Sequence, residues 1–288
     1  MLKKISFFAL VALAAASCNI KETRPDCLTP VTVHVSEFAI SMKDLPTKTV
    51  IEARDYAEVK ALTLAIFNGN TEVCQSTQLK TEAGDAFGTF TCSLPQGTYT
   101  LVVVGRGHFD GDVFSLSSPT SAGYTSDRAR ETFCATQEVS VTSSAPLDLS
   151  VSMDRVVALL NLVSTDPRPA GVAKIRTIYA KGSKSFNPTT GLASDNNGLT
   201  VTNSPSSPVG SAINTGSYLF LASDGENPVN ITLQTLDEDD NVLMTRLIPN
   251  VPLMRNRKTI LTGPLFTASA TSTIKLENAW ETSNTVTF

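Results

Sequence analysis

The strongest constraint on this chain is a two-residue period. In Leu147-Asp148-Leu149-Ser150-Val151-Ser152-Met153-Asp154 every second side chain is apolar. Val31, Val33 and Val35 alternate in the same way with Thr32, His34 and Ser36, and the pattern returns in Leu62-Thr63-Leu64-Ala65-Ile66, in Tyr99, Leu101 and Val103, and in Val229-Asn230-Ile231-Thr232-Leu233. Successive side chains of an extended strand point to opposite faces, so each segment is expected to be a strand with one buried and one wet face. A short helix is allowed over residues 53–61, and few other stretches could hold one. The largely apolar residues 156–163 fit a buried strand or a helix segment; the alternation just before them favours a strand. Turn signals separate the strands: Asn68-Gly69-Asn70, Pro95-Gln96-Gly97, Asp195-Asn196-Asn197-Gly198 and Asp237-Glu238-Asp239-Asp240-Asn241. Many short strands between turns imply an all-β sandwich or barrel protein.

The N-terminus carries a different signal. Met1-Leu2-Lys3-Lys4 is a short positive start, residues 5–16 are apolar apart from Ser6, and Ala15-Ala16-Ser17 precede Cys18. That is the layout of a secretory leader, too short for a retained membrane span. A cysteine directly after the small residues resembles the lipobox of bacterial lipoproteins. The resemblance implies cleavage before Cys18, acylation of Cys18 and tethering outside the cytoplasm. Each buried methylene of an acyl chain contributes about 0.8 kcal/mol, so several chains anchor stably. The expected organisation is a signal peptide at 1–17, a polar lipidated tether at 18–30 with Pro25 and Pro30, an N-terminal β domain at 31–145 and a C-terminal β domain at 146–288. The boundary is placed at the polar stretch Ser143-Ser144-Ala145-Pro146.

Charge and motifs exclude several functions. The net charge of −4 becomes about −6 once Lys3 and Lys4 leave with the leader. A mildly acidic chain without basic clusters is a poor nucleic-acid binder. Nucleophile-elbow, phosphate-loop and zincin motifs are missing. Gly105-Arg106-Gly107-His108 reads as a turn, as does His108 with Asp110, Gly111 and Asp112. The acidic run 237–240 lacks EF-hand spacing and reads as a solvated hairpin tip. No catalytic residue, metal or cofactor is expected. An oxidising compartment permits disulfides among Cys27, Cys74, Cys92 and Cys134. Cys74 and Cys92 are equidistant from Ala83, the centre of a turn between expected strands at 72–78 and 87–93. A hairpin there would set them opposite each other. Cys27 would then pair with Cys134; the alternative is four buried free thiols.

Two segments resemble a known family, the fimbrillin-associated anchor lipoproteins of Bacteroidota within the type V pilin group. One is Cys18-Asn19-Ile20-Lys21-Glu22-Thr23-Arg24-Pro25-Asp26-Cys27. The other is Val251-Pro252-Leu253-Met254-Arg255-Asn256-Arg257-Lys258-Thr259-Ile260-Leu261-Thr262-Gly263, followed by Trp280. Residues 148–161, with Asp154-Arg155-Val156-Val157-Ala158, are similar to the family's first strand of the second domain. The resemblance implies two β-sandwich domains of transthyretin-like type and a structural, non-enzymatic role in type V fimbriae. The role is that of outer-membrane anchor or pilin-like subunit. It implies partner subunits joined by β-strand addition, with Val286 and Phe288 in a C-terminal donor strand and proteolytic trimming at Arg54 or Lys48. A Cys27–Cys134 bond would favour the anchor. The competing expectation is a surface lipoprotein binding glycan or peptide, disfavoured by one Trp and five Tyr.

Overall fold

The structure, a computed structural model, describes residues 28–40, 50–267 and 273–277. The chain first forms β1 (Thr29–Ala39), β2 (Val50–Glu52), β3 (Ala61–Asn68), β4 (Thr71–Leu79), the one-turn helix α1 (Lys80–Ala83), β5 (Thr89–Leu94) and β6 (Gly97–Arg106). Then come β7 (Phe114–Ser118), β8 (Ser121–Tyr124), β9 (Thr132–Val141) and β10 (Leu147–Arg155). The second half holds β11 (Ala158–Ser164), β12 (Lys174–Tyr179), β13 (Ser185–Asn187), β14 (Leu192–Ala193) and β15 (Leu199–Asn203). It ends with β16 (Asn214–Leu219), β17 (Asn227–Leu236), β18 (Val242–Leu253), β19 (Lys258–Gly263) and β20 (Thr273–Glu277). The fold is all-β and sandwich-type, as the alternation implied. Residues 53–59 form turns in place of the helix allowed there.

In the first body β1 runs parallel to β10 and antiparallel to β5, and β9-β6-β3-β4 form the facing layer. The layers join at one corner, where Asp154 and Arg155 of β10 meet Cys134 and Phe133 of β9. Val31, Val33, Phe90, Val151 and Met153 from one layer pack on Leu62, Leu64, Leu101, Val103 and Phe133 from the other. The β10 alternation is borne out: Asp148, Ser150, Ser152 and Asp154 are exposed, while Val151 and Met153 are buried. β3 departs from its expected wet face. Ala61 through Phe67 are all buried. The outer face of β3 and β6 is covered by Leu116, Tyr124, Phe186 and Phe220, which pack on Ala65, Phe67, Val102 and Val104. Gly105 makes the sandwich possible at its tightest point: a Cβ there would lie 2.9 Å from the Phe38 ring and 3.0 Å from Met153.

The second body repeats this strand order without repeating its sequence, its two layers standing as separate four-stranded sheets. β11 runs parallel to β19 and antiparallel to β16, and β18-β17-β12-β15 form the facing layer. Strand for strand, β1, β3, β4, β5, β6, β9 and β10 correspond to β11, β12, β15, β16, β17, β18 and β19. The second body adds β20 along β19. Its core is built from Leu160, Leu162, Leu219 and Leu261 against Ile175, Val201, Ile231 and Val251. The expected boundary at residues 145–146 precedes β10, yet β10 completes the first sheet from Leu147 to Arg155. We therefore propose that the division falls at Val156-Val157, between the two cores. Residues 156–163 do form a strand from Ala158 onward.

Candidate functional site

The bodies meet at the end of β10. Its inward positions run Val151, Met153, Arg155, so the strand carries a cation into the interior; the Arg155 side chain is fully buried. The guanidinium donates from Nε to Glu131 Oε1 at 2.8 Å, from Nη2 to the Tyr56 hydroxyl at 2.9 Å and from Nη1 to Asn256 Oδ1 at 3.0 Å. Tyr56 donates its hydroxyl to the same Glu131 oxygen at 2.7 Å. The guanidinium also lies over the Phe133 ring, 4.9 Å from its centroid, and Phe133 packs on Phe38 and Tyr56. Burial pushes the Glu131 carboxyl up, against the pull of Arg155 and of the Tyr56 hydroxyl. A buried charge is tolerable when hydrogen-bond partners surround it, and this cluster supplies them from the residue just before β9, the loop after β2 and the β18–β19 turn. Asn256 also donates its backbone N–H to Val157, fixing that turn to the interbody link. Three parts of the network, Arg155, Glu131 and Tyr56, were not anticipated as a site. The available signal was a charge at the buried phase of a strand.

Beside this lock lies a cleft of about 220 Å³ lined by Lys60, Phe109, Arg128 and Arg130 from the first body and by Asn203 and Tyr218 from the second. Its cations are committed to internal partners. Arg128 bonds Asp127, Asn203 and the Thr202 carbonyl. Arg130 grips Asp112 at 2.7 and 2.8 Å, and both Lys60 and Arg130 stack on the Phe109 ring. The arrangement positions the bodies and offers apolar ring surface at the rim, where Phe109 is 54% exposed.

Several expected site residues are placed by the structure. Arg54 is exposed in the turn after β2 and pairs with Glu52 at 2.7 Å. Its backbone surroundings are fixed: Ala53 donates to Ser36, and Asp55 and Tyr56 donate to Glu52. The expected hairpin of β4 with β5 does not form, because β4 pairs with β3 and β5 with β1. Cys74 and Cys92 nevertheless come together: both pack half-buried against the first core, near enough for the charge on one to act on the other. Cys134 is a buried thiol that donates to the Pro188 carbonyl at 3.6 Å. It stands level with Asp154, which is level with Ala39 at the far end of β1 from Thr29. Ten residue steps along a strand span about 33 Å, and the two steps from Cys27 to Thr29 reach at most about 7 Å. Strand length therefore opposes the expected Cys27–Cys134 bond. Cys18, Cys27, Lys48, Val286 and Phe288 lie outside the described residues.

His34 is exposed on β1, beside the Thr89 hydroxyl. His108 lies against Arg106, and the Asp112 amide closes a turn onto the Phe109 carbonyl. Among the described residues no group of His, Cys, Asp and Glu side chains could hold a metal ion, and no helix is long and apolar enough to cross a membrane.

A family of unknown function, DUF6562, matches residues 36–287. No curated protein matches the chain in sequence. Among solved structures, a candidate polysaccharide-binding protein (DUF1812) from Bacteroides thetaiotaomicron aligns at 10% identity and TM-score 0.51, covering 88% of this chain and 99% of that one. A candidate adhesin from the same organism aligns at 13% identity and TM-score 0.50, covering 90% and 98%. The fimbrial anchor protein Mfa2 from Porphyromonas gingivalis aligns at 11% identity and TM-score 0.49, covering 88% and 98%.

Proposed function

Because the chain belongs to DUF6562, a family of unknown function, we propose a role for it from its own architecture: a structural subunit of the bacterial cell surface, tethered by lipid on Cys18 and acting without a catalytic step. The finer assignment is a fimbrial anchor in the outer membrane that receives partner subunits by β-strand addition. The observation that carries it is the setting of β1. This strand follows the lipobox cysteine and its polar tether, and it is hydrogen-bonded on both sides, to β10 from Val31 to Ala39 and to β5 from Thr29 to His34. Load on a lipid at Cys18 would pass into two ladders and the sandwich core. The fold shared with a candidate adhesin supports the surface role.

Retention of β1 separates an anchor from a polymerising pilin, which would lose β1 by cleavage after Lys48, or β1 and β2 by cleavage after Arg54. At Arg54 the tied turn supports retention, since proteases favour exposed backbone free to extend. Mass spectrometry of the membrane-extracted protein tests this: a lipidated Cys18 on an otherwise full-length chain is the expected result. A mature start after Lys48 or Arg54 would overturn the anchor assignment in favour of a pilin. In a deletion strain the anchor reading expects fimbriae shed into the medium, and fully anchored fimbriae would contradict it.

A second reading, a glycan- or peptide-binding lipoprotein, is favoured by the interbody cleft with its exposed Phe109 and neighbouring Tyr218. A specific hit on a glycan array that disappears in F109A would support it.

A further inference from the structure

β4 and β5 are edge strands of opposite layers of the first sandwich, consecutive in the chain and joined by α1 and the 3-10 turn Gly84–Ala86. No ladder connects them; side chains close the gap. At one end the Gln78 amide donates to the Thr89 carbonyl at 2.7 Å, and its oxygen accepts the Gly88 amide at 2.9 Å. Four residues back along β4 stands Cys74. Four residues forward from Gly88 stands Cys92. On antiparallel edges these offsets match, so the Gln78 clamp sets the register that brings Cys74 opposite Cys92. Between the two contacts Phe90 turns into the core, and both cysteines are half-buried against that core. The corresponding seam of the second body, β15 against β16, is crossed by Asn203, whose amide donates to the Gly216 carbonyl at 3.4 Å.

We propose that Cys74 and Cys92 are an oxidation site, joined in the mature protein by a disulfide that closes the open seam of the first sandwich covalently. The sequence spacing pointed to the same pair through a hairpin that does not exist; the sandwich edge supplies the proximity instead. The bond needs an S–S separation of about 2.05 Å, which two half-buried free thiols on facing edge strands reach by approach of their side chains. The chemistry is exchange with a disulfide oxidant, either a small disulfide or a protein disulfide donor of the extracytoplasmic compartment. Cys74, on the outermost strand, loses its proton and attacks one oxidant sulfur. A mixed disulfide forms and one oxidant thiolate leaves. Cys92 then loses its proton and attacks Cys74 Sγ, releasing the second oxidant thiolate. Two electrons and two protons leave the protein thiols, and the oxidant disulfide is reduced to two thiols. Burial, followed by the neighbouring Cys74, pushes the Cys92 thiol up to about 12.

This inference does not rest on the fimbrial reading and stands or falls apart from it. The full chain, with its leader, is expressed in a host with an oxidising extracytoplasmic compartment, denatured with N-ethylmaleimide present, and digested without reductant. The expected product is a peptide pair linking Cys74 to Cys92, two hydrogens lighter than its parts, with maleimide on Cys134. Maleimide on both Cys74 and Cys92, or a bond from either one to another cysteine, would overturn the proposal. A second measurement is free of cellular conditions: the folded, reduced protein is treated with oxidised glutathione. Closure to the same linked pair is expected, and arrest with glutathione on both cysteines would equally overturn it. A C74S/C92S variant is not required for either test.

Discussion

Arg155 occupies a position where the strand pattern asks for an apolar side chain, and Glu131, Tyr56 and Asn256 answer its charge. Removing one partner of a buried ion pair leaves the other in a low-dielectric site, at a cost of about 3–5 kcal/mol, whereas replacing both by apolar groups of similar volume is often near neutral. E131A is therefore expected to lose about 3–5 kcal/mol in urea unfolding, and E131L with R155M much less than the sum of the two single changes. Simple additivity would show that the pair is not coupled. Asp112 argues a second residue-scale case. Burial pulls its carboxyl up, but the Arg130 guanidinium and the Phe109 amide outweigh burial and hold it below the ordinary carboxylate value. A folded-state value below the unfolded one of about 3.9 gives stability that is present above that pH and drains as pH falls through the folded value. Urea midpoints taken at several values below about pH 5 should fall more steeply for the wild type than for D112N; parallel slopes would remove Asp112 from the account. The sequence displayed Asp112 as part of a turn, which it is, but gave no sign of Arg130, because a pairing across the fold leaves no local spacing.

At the scale of the element, the two-residue period made β1, β10 and β17 legible, since each keeps a wet face. It misjudged β3. Thr63 and Ala65 look like a solvent face by alternation, yet both are buried. The covering side chains come from β7, β8, β13 and Phe220, far along the chain, and period two carries no record of them. A65K separates the readings. On a wet face the change would stay within about 0.5 kcal/mol; against Phe186 and Phe220 it buries an unpaired cation beside an overpacked wall and should cost more than about 4 kcal/mol. Soluble yield and urea unfolding measure it, and a neutral A65K would mean the small sheet does not cover β3. The β4–β5 hairpin failed for a related reason. Equal spacing about Ala83 is satisfied by two strands in one sheet and equally by two edges of opposing layers; Phe90, apolar between polar neighbours, turns toward the core between those layers.

At the scale of the molecule, the two bodies share a topology that no sequence repeat announces, because the same strand order tolerates any residues that keep each core face apolar. What unites them is also invisible to local pattern: a small sheet in which β7 and β8 of the first body pair with β13 and β14 of the second. Phe186 is its centre. It is fully buried, lies 4.4 Å from the Phe220 ring in a stacked arrangement, and packs on the outer face of the first sandwich. A buried Phe truncated to Ala typically costs about 3–5 kcal/mol, and here the loss falls on the coupling between bodies, since neither Phe186 nor Phe220 belongs to the central core of either sandwich. The wild type should therefore unfold in one transition. F186A should split it, with amides of β3 and of β11 exchanging deuterium at different urea concentrations. If both strands still lose protection together in F186A, the interbody lock at Arg155 suffices for cooperativity and the shared sheet is a cover; if they part company already in the wild type, the two sandwiches are independent bodies and load entering at β1 has no rigid path to β19.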